Sequence, residues 1–207
     1  MKTILLTIVL LLPVMLMSGC SSRKSEVGPE GIINPESAPL VQEKDENGMR
    51  LIDKDYFSLE APENWQETSS LPGISLFMVN REEKIDDPAA QKINFRSYFS
   101  VSYQELADMN LDEQVEVVKS QVRQVAPDIE FFDGKSLTVN GSPARVLVGK
   151  LSQQGVNFKV MVVVAPEAVT KDGKGSGLWV MSFNTLEDNW NENEDLFYRI
   201  AGSFGVK

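Results

Sequence analysis

The chain has 207 residues, enough for one domain of ordinary size with additional segments. Apolar residues make up 42% of it and charged residues 24%, a balance typical of a globular protein. Acidic residues outnumber basic ones by 30 to 20, and the net charge of −10 disfavours binding to nucleic acid. Because there is no histidine and only one cysteine, His-dependent triads, imidazole zinc sites and internal disulfides are excluded.

The first twenty residues have the layout of a secretory signal. Lys2 gives a basic start, an apolar run extends over residues 4–17, and the small residues Ser18 and Gly19 precede Cys20. The run of about 14 residues is shorter than the roughly 20 that a transmembrane helix needs, and no second apolar run follows. The sequence therefore predicts a signal peptide over residues 1–19 rather than a signal anchor.

The position of the cysteine indicates the type of signal. Met17-Ser18-Gly19-Cys20 resembles the lipobox of bacterial lipoproteins, in which an aliphatic and two small residues precede a cysteine. Leucine is commoner at the place of Met17, but methionine is also unbranched at its β-carbon and apolar. The resemblance implies that the peptide before Cys20 is cleaved and that Cys20 carries a diacylglyceryl group and an acylated N-terminus. The alternative is an ordinary secreted protein with a cysteine beside its cleavage site.

A lipidated Cys20 makes the membrane a predicted partner. Two or more acyl chains anchor a protein stably, whereas an acidic body is repelled by anionic headgroups. Ser21 is not the aspartate that retains lipoproteins in the inner membrane of enteric bacteria, so the cell membrane and the outer membrane both stay open. We expect an extracytoplasmic location.

Residues 20–50 read as a spacer. They are rich in proline, glycine and charge and have no sustained periodicity, a composition that buries too little apolar surface to fold. A calcium loop at residues 43–47 is the alternative, but the ligand alternation and the terminal glutamate of an EF-hand are missing. We predict a flexible spacer that begins at the lipidated Cys20.

From Leu51 onward the patterns are those of a folded domain. Alternating or continuous apolar runs predict strands at residues 57–61, 74–79, 95–103, 129–132, 136–139, 145–151, 156–164 and 178–183. The strand at 95–103 is predicted to be half-buried, with Tyr98, Ser100 and Ser102 on its outer side. Residues 80–91 are charged and predict an exposed loop, and residues 171–177 predict a loose hairpin tip. The dipeptide Asn140-Gly141 is typical of a two-residue hairpin turn.

Two helices interrupt the strands. Apolar residues at steps of three and four predict a helix over residues 111–125, with Asn110 and Glu113 as a capping box. A second helix is predicted to begin near Asn191, with Glu194 three residues later, and to end at Gly202 or Gly205. Short turns require antiparallel neighbours, so we predict an α+β domain over residues 51–207 with both helices packed on one face of an antiparallel sheet.

The order of these elements resembles the PsbP-like fold. The opening Phe57-Ser58-Leu59-Glu60-Ala61-Pro62-Glu63-Asn64-Trp65 is similar to the start of such domains, as are the helix in the middle of the chain, the hairpin at Asn140-Gly141 and the end at Ser203-Phe204. The resemblance implies a binding or assembly module with no catalytic residues. A partner protein in the cell envelope is expected.

Other chemistry is weakly supported. Acidic residues recur at Asp53-Asp55, Glu82-Glu83, Asp86-Asp87, Glu187-Asp188 and Glu192-Glu194-Asp195, and converging loops of this kind bind Ca²⁺. No spacing selects two carboxylates for a glycosidase, no serine-hydrolase motif occurs, and Gly173, Gly175 and Gly177 lack the context of a phosphate loop. Trp65, Trp179 and Trp190 are predicted to pack in the core or at its edge. We expect no enzyme, no cofactor and no metal site; a small-molecule or Ca²⁺ receptor and, less favoured, an envelope hydrolase are the alternatives.

Overall fold

The computed structural model describes residues 48–69, 71–105, 109–167 and 177–207. The predicted signal peptide, Cys20, the spacer up to residue 47 and most of the hairpin tip at 171–177 lie outside the described residues. None of the helices described is long and apolar enough to cross a bilayer. The described elements are β1 Met49–Asp53, β2 Phe57–Pro62, β3 Gln66–Glu67, β4 Leu76–Val79, α1 Pro88–Lys92, β5 Tyr98–Gln104, α2 Leu111–Val125, β6 Glu130–Asp133, β7 Leu137–Val139, β8 Ser142–Gln153, β9 Val156–Pro166, β10 Leu178–Leu186, α3 Trp190–Gly202 and β11 Gly205–Val206.

The strands form two sheets. The larger one has the order β3-β4-β5-β10-β9-β8-β6, with β7 also paired to β8, and the smaller one has the order β1-β2-β11. All pairings among the described strands are antiparallel. The turn predicted at Asn140-Gly141 is confirmed, since its φ angles of 49° and 76° are those of a type I′ hairpin. Gln154 and Gly155, with φ angles of 52° and 77°, join β8 to β9 in the same way.

Both faces of the large sheet are covered. On one face, Val160 and Val162 of β9 pack against Val118 of α2; on the other, Met161 of the same strand packs in the cluster that contains Phe197 of α3. The α+β class with an antiparallel sheet is confirmed, but the helices lie on opposite faces and not on one. The reason is that β9 and β10 are apolar at successive residues, so each face of these strands needs a cover.

The predicted helix α2 is confirmed over its whole length. The side chain of Asn110 accepts a hydrogen bond from Glu113 N at 3.0 Å, and the side chain of Glu113 accepts one from Asn110 N at 2.9 Å. This capping box satisfies two of the free amides at the helix start. Val115, Val118 and Val122 are the buried valines of the helix, so packing on the sheet offsets their poor helix propensity.

Two boundaries differ from the sequence prediction. Strand β1 begins at Met49, which is 2% exposed, so the folded part starts two residues before Leu51. Helix α3 begins at Trp190, within one residue of the predicted start near Asn191, but its N-cap residue is Asn189. Its N-cap residue Asn189 makes no side-chain cap bond, because its amide donates a hydrogen bond to Glu83 Oε1 at 3.0 Å.

The three tryptophans are core residues, as predicted. Trp65, Trp179 and Trp190 are 2%, 4% and 3% exposed. All belong to the cluster between the large sheet, the small sheet and α3. This cluster holds the two sheets together.

Candidate functional site

The acidic groups singled out in the sequence do not converge. Asp87 caps α1, with its carboxylate accepting hydrogen bonds from Ala89 N at 2.7 Å and Ala90 N at 3.0 Å. Glu83 accepts a hydrogen bond from Ser97 Oγ at 2.7 Å. The others that form ion pairs do so with separate lysines: Asp53 with Lys207, Glu187 with Lys150, and Glu194 and Asp195 with Lys135. Within the described ranges, no three Cys, Asp or Glu side chains lie close enough together to hold a metal ion.

A surface cavity of about 440 Å³ lies instead where β4 and β5 meet. Val79 pairs with Tyr98 across these two strands, and Phe77 pairs with Ser100. Paired residues share a face of an antiparallel sheet, so Phe77, Val79 and Tyr98 lie side by side. The residues that line this cavity, which we name the β4–β5 pocket, are Phe77, Val79, Arg81, Asn94, Phe95, Arg96 and Tyr98.

Aromatic rings form the floor of the β4–β5 pocket. Phe77 and Tyr98 have ring centroids 5.1 Å apart, and Phe95 and Tyr98 have theirs 6.2 Å apart in an edge-on arrangement. The ring of Phe158 in β9 packs against that of Phe95, with the ring centroids 5.0 Å apart. Burial raises the pKa of the Tyr98 phenol well above its ordinary value, so the floor carries no charge at neutral pH. The floor is therefore apolar, rigid and neutral.

Two arginines stand at the rim. Arg81 follows the end of β4 and is exposed, and Arg96 precedes β5 and is half-buried. Arg96 Nη1 donates a hydrogen bond to the backbone oxygen of Phe95 at 2.6 Å. Neither guanidinium pairs with a carboxylate of the described residues, whereas Arg145, for example, binds Asp112 at 2.8 Å. The rim thus presents positive charge that forms no ion pair within the part of the chain that the structure describes.

Helix α1 positions the residues of the pocket that precede β5. The sequence predicted an exposed loop over residues 80–91, and this was wrong for the segment that forms α1. Asp87 at the N-cap and Pro88 at the first helical position are a start signal, which the acidic surroundings concealed. The helix ends in a Schellman motif, because Phe95 N donates to Ala90 O and Asn94 N donates to Gln91 O, both at 3.0 Å. This ending turns the chain so that Asn94, Phe95 and Arg96 reach the pocket.

The Schellman motif requires a left-handed residue, which gives a first prediction. Asn94 has a φ of 51°, in the left-handed region. Glycine and asparagine adopt this conformation readily, whereas residues such as alanine, whose side chain cannot form a local hydrogen bond, are disfavoured there. We expect Asn94→Ala to lower the free energy of unfolding by about 1 kcal/mol, and Asn94→Gly to leave it within about 0.5 kcal/mol of the wild type. Urea unfolding followed by circular dichroism measures both. Equal losses of unfolding free energy in the two variants would contradict the requirement for a left-handed residue at this position.

Known proteins are similar to this chain only in their fold. No protein-family model matches the chain, and no curated protein matches it. The solution structure of cyanobacterial PsbP (CyanoP) from Synechocystis sp. PCC 6803 superimposes with a TM-score of 0.55 at 14% identity, covering 84% of this chain and 99% of CyanoP. The crystal structure of LpqN, involved in cell envelope biogenesis of Mycobacterium tuberculosis, gives a TM-score of 0.50 at 17% identity, covering 73% and 83% of the two chains.

The chain has a PsbP-like fold. The resemblance seen in the sequence is confirmed at this level. Cys20, the one site residue that the sequence singled out, lies outside the described residues.

A row of buried polar residues crosses the PsbP-like domain beside the pocket. Asn184 of β10 is the register partner of Tyr98, so it lies next to the pocket floor on the same face of the sheet. It is 4% exposed, and its amide nitrogen has no hydrogen-bond partner among the described residues. Ser100 and Ser182 continue the row and are also buried. The sequence predicted β5 to be half-buried, with Tyr98, Ser100 and Ser102 outside; this was wrong, because β5 is covered on both faces.

Proposed function

We propose that the chain is a lipid-anchored extracytoplasmic lipoprotein whose PsbP-like domain is a non-enzymatic binding or assembly module. The observation that carries the anchor is the sequence Met17-Ser18-Gly19-Cys20, which follows a basic start and an apolar run of signal-peptide length. The thiol of Cys20 is the proposed lipidation site. Cleavage before Cys20 also removes Lys2, so the mature chain is still more acidic and depends on its acyl chains to stay at a membrane.

The β4–β5 pocket supports binding rather than catalysis. Its polar lining consists of arginine, asparagine and a neutral tyrosine, and none of these is an activated nucleophile or a general base at neutral pH. The chain has no histidine that could activate a serine nearby. A cleft with an apolar floor and a few polar groups is the usual form of a ligand site.

The cell envelope is the proposed place of action. Of the two structures compared above, LpqN is involved in cell envelope biogenesis, which agrees with an extracytoplasmic role. Residues 21–48 have the composition of a spacer, which would hold the domain away from the lipid surface. We propose the membrane and an envelope protein as the partners of this module.

Replacement of Cys20 tests the anchor. We expect the wild-type chain to incorporate radiolabelled palmitate and to sediment with membranes, and Cys20→Ser to lose both, because serine offers no thiol for the diacylglyceryl transfer. Ser22→Ala, two residues after Cys20, is the matched control and should label like the wild type. Equal labelling of Cys20→Ser, or mass spectrometry of the wild type showing a free thiol at Cys20, would refute the lipoprotein assignment.

A further inference from the structure

We infer that the β4–β5 pocket binds a small organic anion, with Arg81 and Arg96 contacting its anionic group and the floor contacting an apolar, planar body. The inference rests on the proposed binding role of the domain and not on its lipid anchor. A carboxylate or a phosphate is the anionic group that fits, because the guanidinium group presents parallel N–H donors to either.

Two arginines stand together at the rim of the pocket. The net charge of the chain is −10, yet neither of these arginines has a carboxylate partner in the described residues. The carboxylate of Glu83, two residues after Arg81, accepts hydrogen bonds from Ser97 and Asn189 on the α3 side of the sheet. An anionic ligand would therefore meet positive charge at the pocket and negative charge over much of the remaining surface, which favours this one site.

The floor selects for an apolar body. Phe77, Phe95 and Tyr98 line the cavity and are 8%, 6% and 6% exposed, so packing holds their rings in place. Rigid aromatic walls contact planar groups without losing side-chain entropy. A fully hydrated anion such as free phosphate would leave this floor unused.

The size of the cavity limits the ligand. About 440 Å³ is near the lower end of the range for small-molecule sites, which run from about 300 to 1,000 Å³. Such a cavity admits one or two fused rings with an anionic substituent. The acyl chains of a phospholipid need more space, so we assign the site to a small soluble anion and not to a lipid of the bilayer.

Titration with 1-naphthyl phosphate tests this assignment. The mature lipoprotein is held in phosphatidylcholine nanodiscs and binding is measured by isothermal titration calorimetry. We expect saturable binding at one site, and affinities at least about tenfold lower for 1-naphthol, which lacks the charge, and for inorganic phosphate, which lacks the rings. No saturable binding, or equal affinity for 1-naphthol, would overturn the inference.

Variants locate the site. Arg81→Gln and Arg96→Gln should each weaken 1-naphthyl phosphate binding about tenfold, and the corresponding lysine variants should lose less, because lysine keeps the charge but not the paired donors. Arg145→Gln is the matched control: it removes an arginine that pairs with Asp112, and it should bind like the wild type. Unchanged affinity in the Arg81→Gln and Arg96→Gln double variant, or an equal loss in Arg145→Gln, would overturn the inference.

Two further arms separate the possible failures. In the first arm, the nanodiscs contain phosphatidylglycerol. Their negative charge should lower the affinity for 1-naphthyl phosphate only through a general, salt-sensitive repulsion, which the Arg145→Gln variant should show equally. If phosphatidylglycerol instead competes specifically for the pocket, the choice of a soluble ligand is overturned.

In the second arm, the full chain with Cys20→Ser is titrated in parallel. If it binds 1-naphthyl phosphate and the wild type is unlipidated, the anchor is refuted and the pocket stands; if lipidation occurs and neither chain binds, the pocket inference alone fails.

Discussion

Replacing Phe197 with alanine should lower the free energy of unfolding by about 3–5 kcal/mol, the usual cost of emptying a buried phenylalanine site. Phe197 is fully buried on the inner side of α3. Its ring lies 5.1 Å from Phe183, 6.1 Å from Trp190 and 6.4 Å from Trp65, centroid to centroid. These neighbours belong to β10, to α3 itself and to the turn before β3, so no single element can move in and fill the cavity.

The neighbouring residue of the same helix provides the control. Leu196 is only half-buried at the margin of the same cluster. Leu196→Ala should therefore lower the free energy of unfolding by only about 1 kcal/mol, since leucine and alanine have nearly equal helix propensities. Urea unfolding followed by far-ultraviolet circular dichroism avoids the fluorescence of the nearby tryptophans. Similar losses in both variants would show that α3 is not held to the sheets through Phe197.

Elements with a local signal were predictable from the sequence. The valine spacing and the Asn110–Glu113 pair determine α2, and Asn140-Gly141 accepts the left-handed angles that its hairpin needs. Long alternating runs gave β9 and most of β8 and β10. In each case the deciding interaction joins residues close in sequence, so pattern and structure agree.

The two-sided burial of the sheet was not predictable in the same way. Whether Tyr98 faces solvent or a second layer depends on α1, which is short, and on Phe158, which is sixty residues away. A strand with polar residues on one side reads as half-buried because sequence alternation does not show what covers the polar side. Ser100, Ser182 and Asn184 lie in that unexpected layer.

The β4–β5 pocket depends on pairing that no local pattern specifies. Arg81 and Arg96 are brought to one rim only because Val79 pairs with Tyr98, and a register shift of one residue would turn the aromatic floor to the other face. The one available signal was that Arg81 follows a predicted strand and Arg96 lies near the start of another. That signal gives neither the partner strand nor the face.

Gly134→Ala should lower the free energy of unfolding by about 2–4 kcal/mol, because the added carbon overpacks its site and weakens a hydrogen bond. A β-carbon at this position would lie 2.5 Å from Val146 Cγ1 and 2.9 Å from Val146 Cβ. The Cβ of Val146 cannot move without the backbone of β8, which is paired to β9 from Arg145 to Gln153. The added carbon would also lie 2.6 Å from Tyr198 Oη, which accepts a hydrogen bond from Lys135 N at 2.7 Å and thereby links α3 to the segment between β6 and β7.

Gly202→Ala is the matched control, because the chemical change is identical and the surroundings differ. A β-carbon on Gly202, the last residue of α3, would meet only Leu137 Cδ1 at 3.7 Å, an ordinary contact. Alanine restricts the unfolded chain and favours the helix, so we expect this variant to be unchanged or more stable by up to about 1 kcal/mol. Thermal and urea unfolding should therefore show midpoints that shift in opposite directions, or free energies of unfolding that differ by several kcal/mol between the two variants. Equal shifts would mean that β8 yields at Val146, and that the close approach of the backbone at Gly134 is not a requirement of the fold.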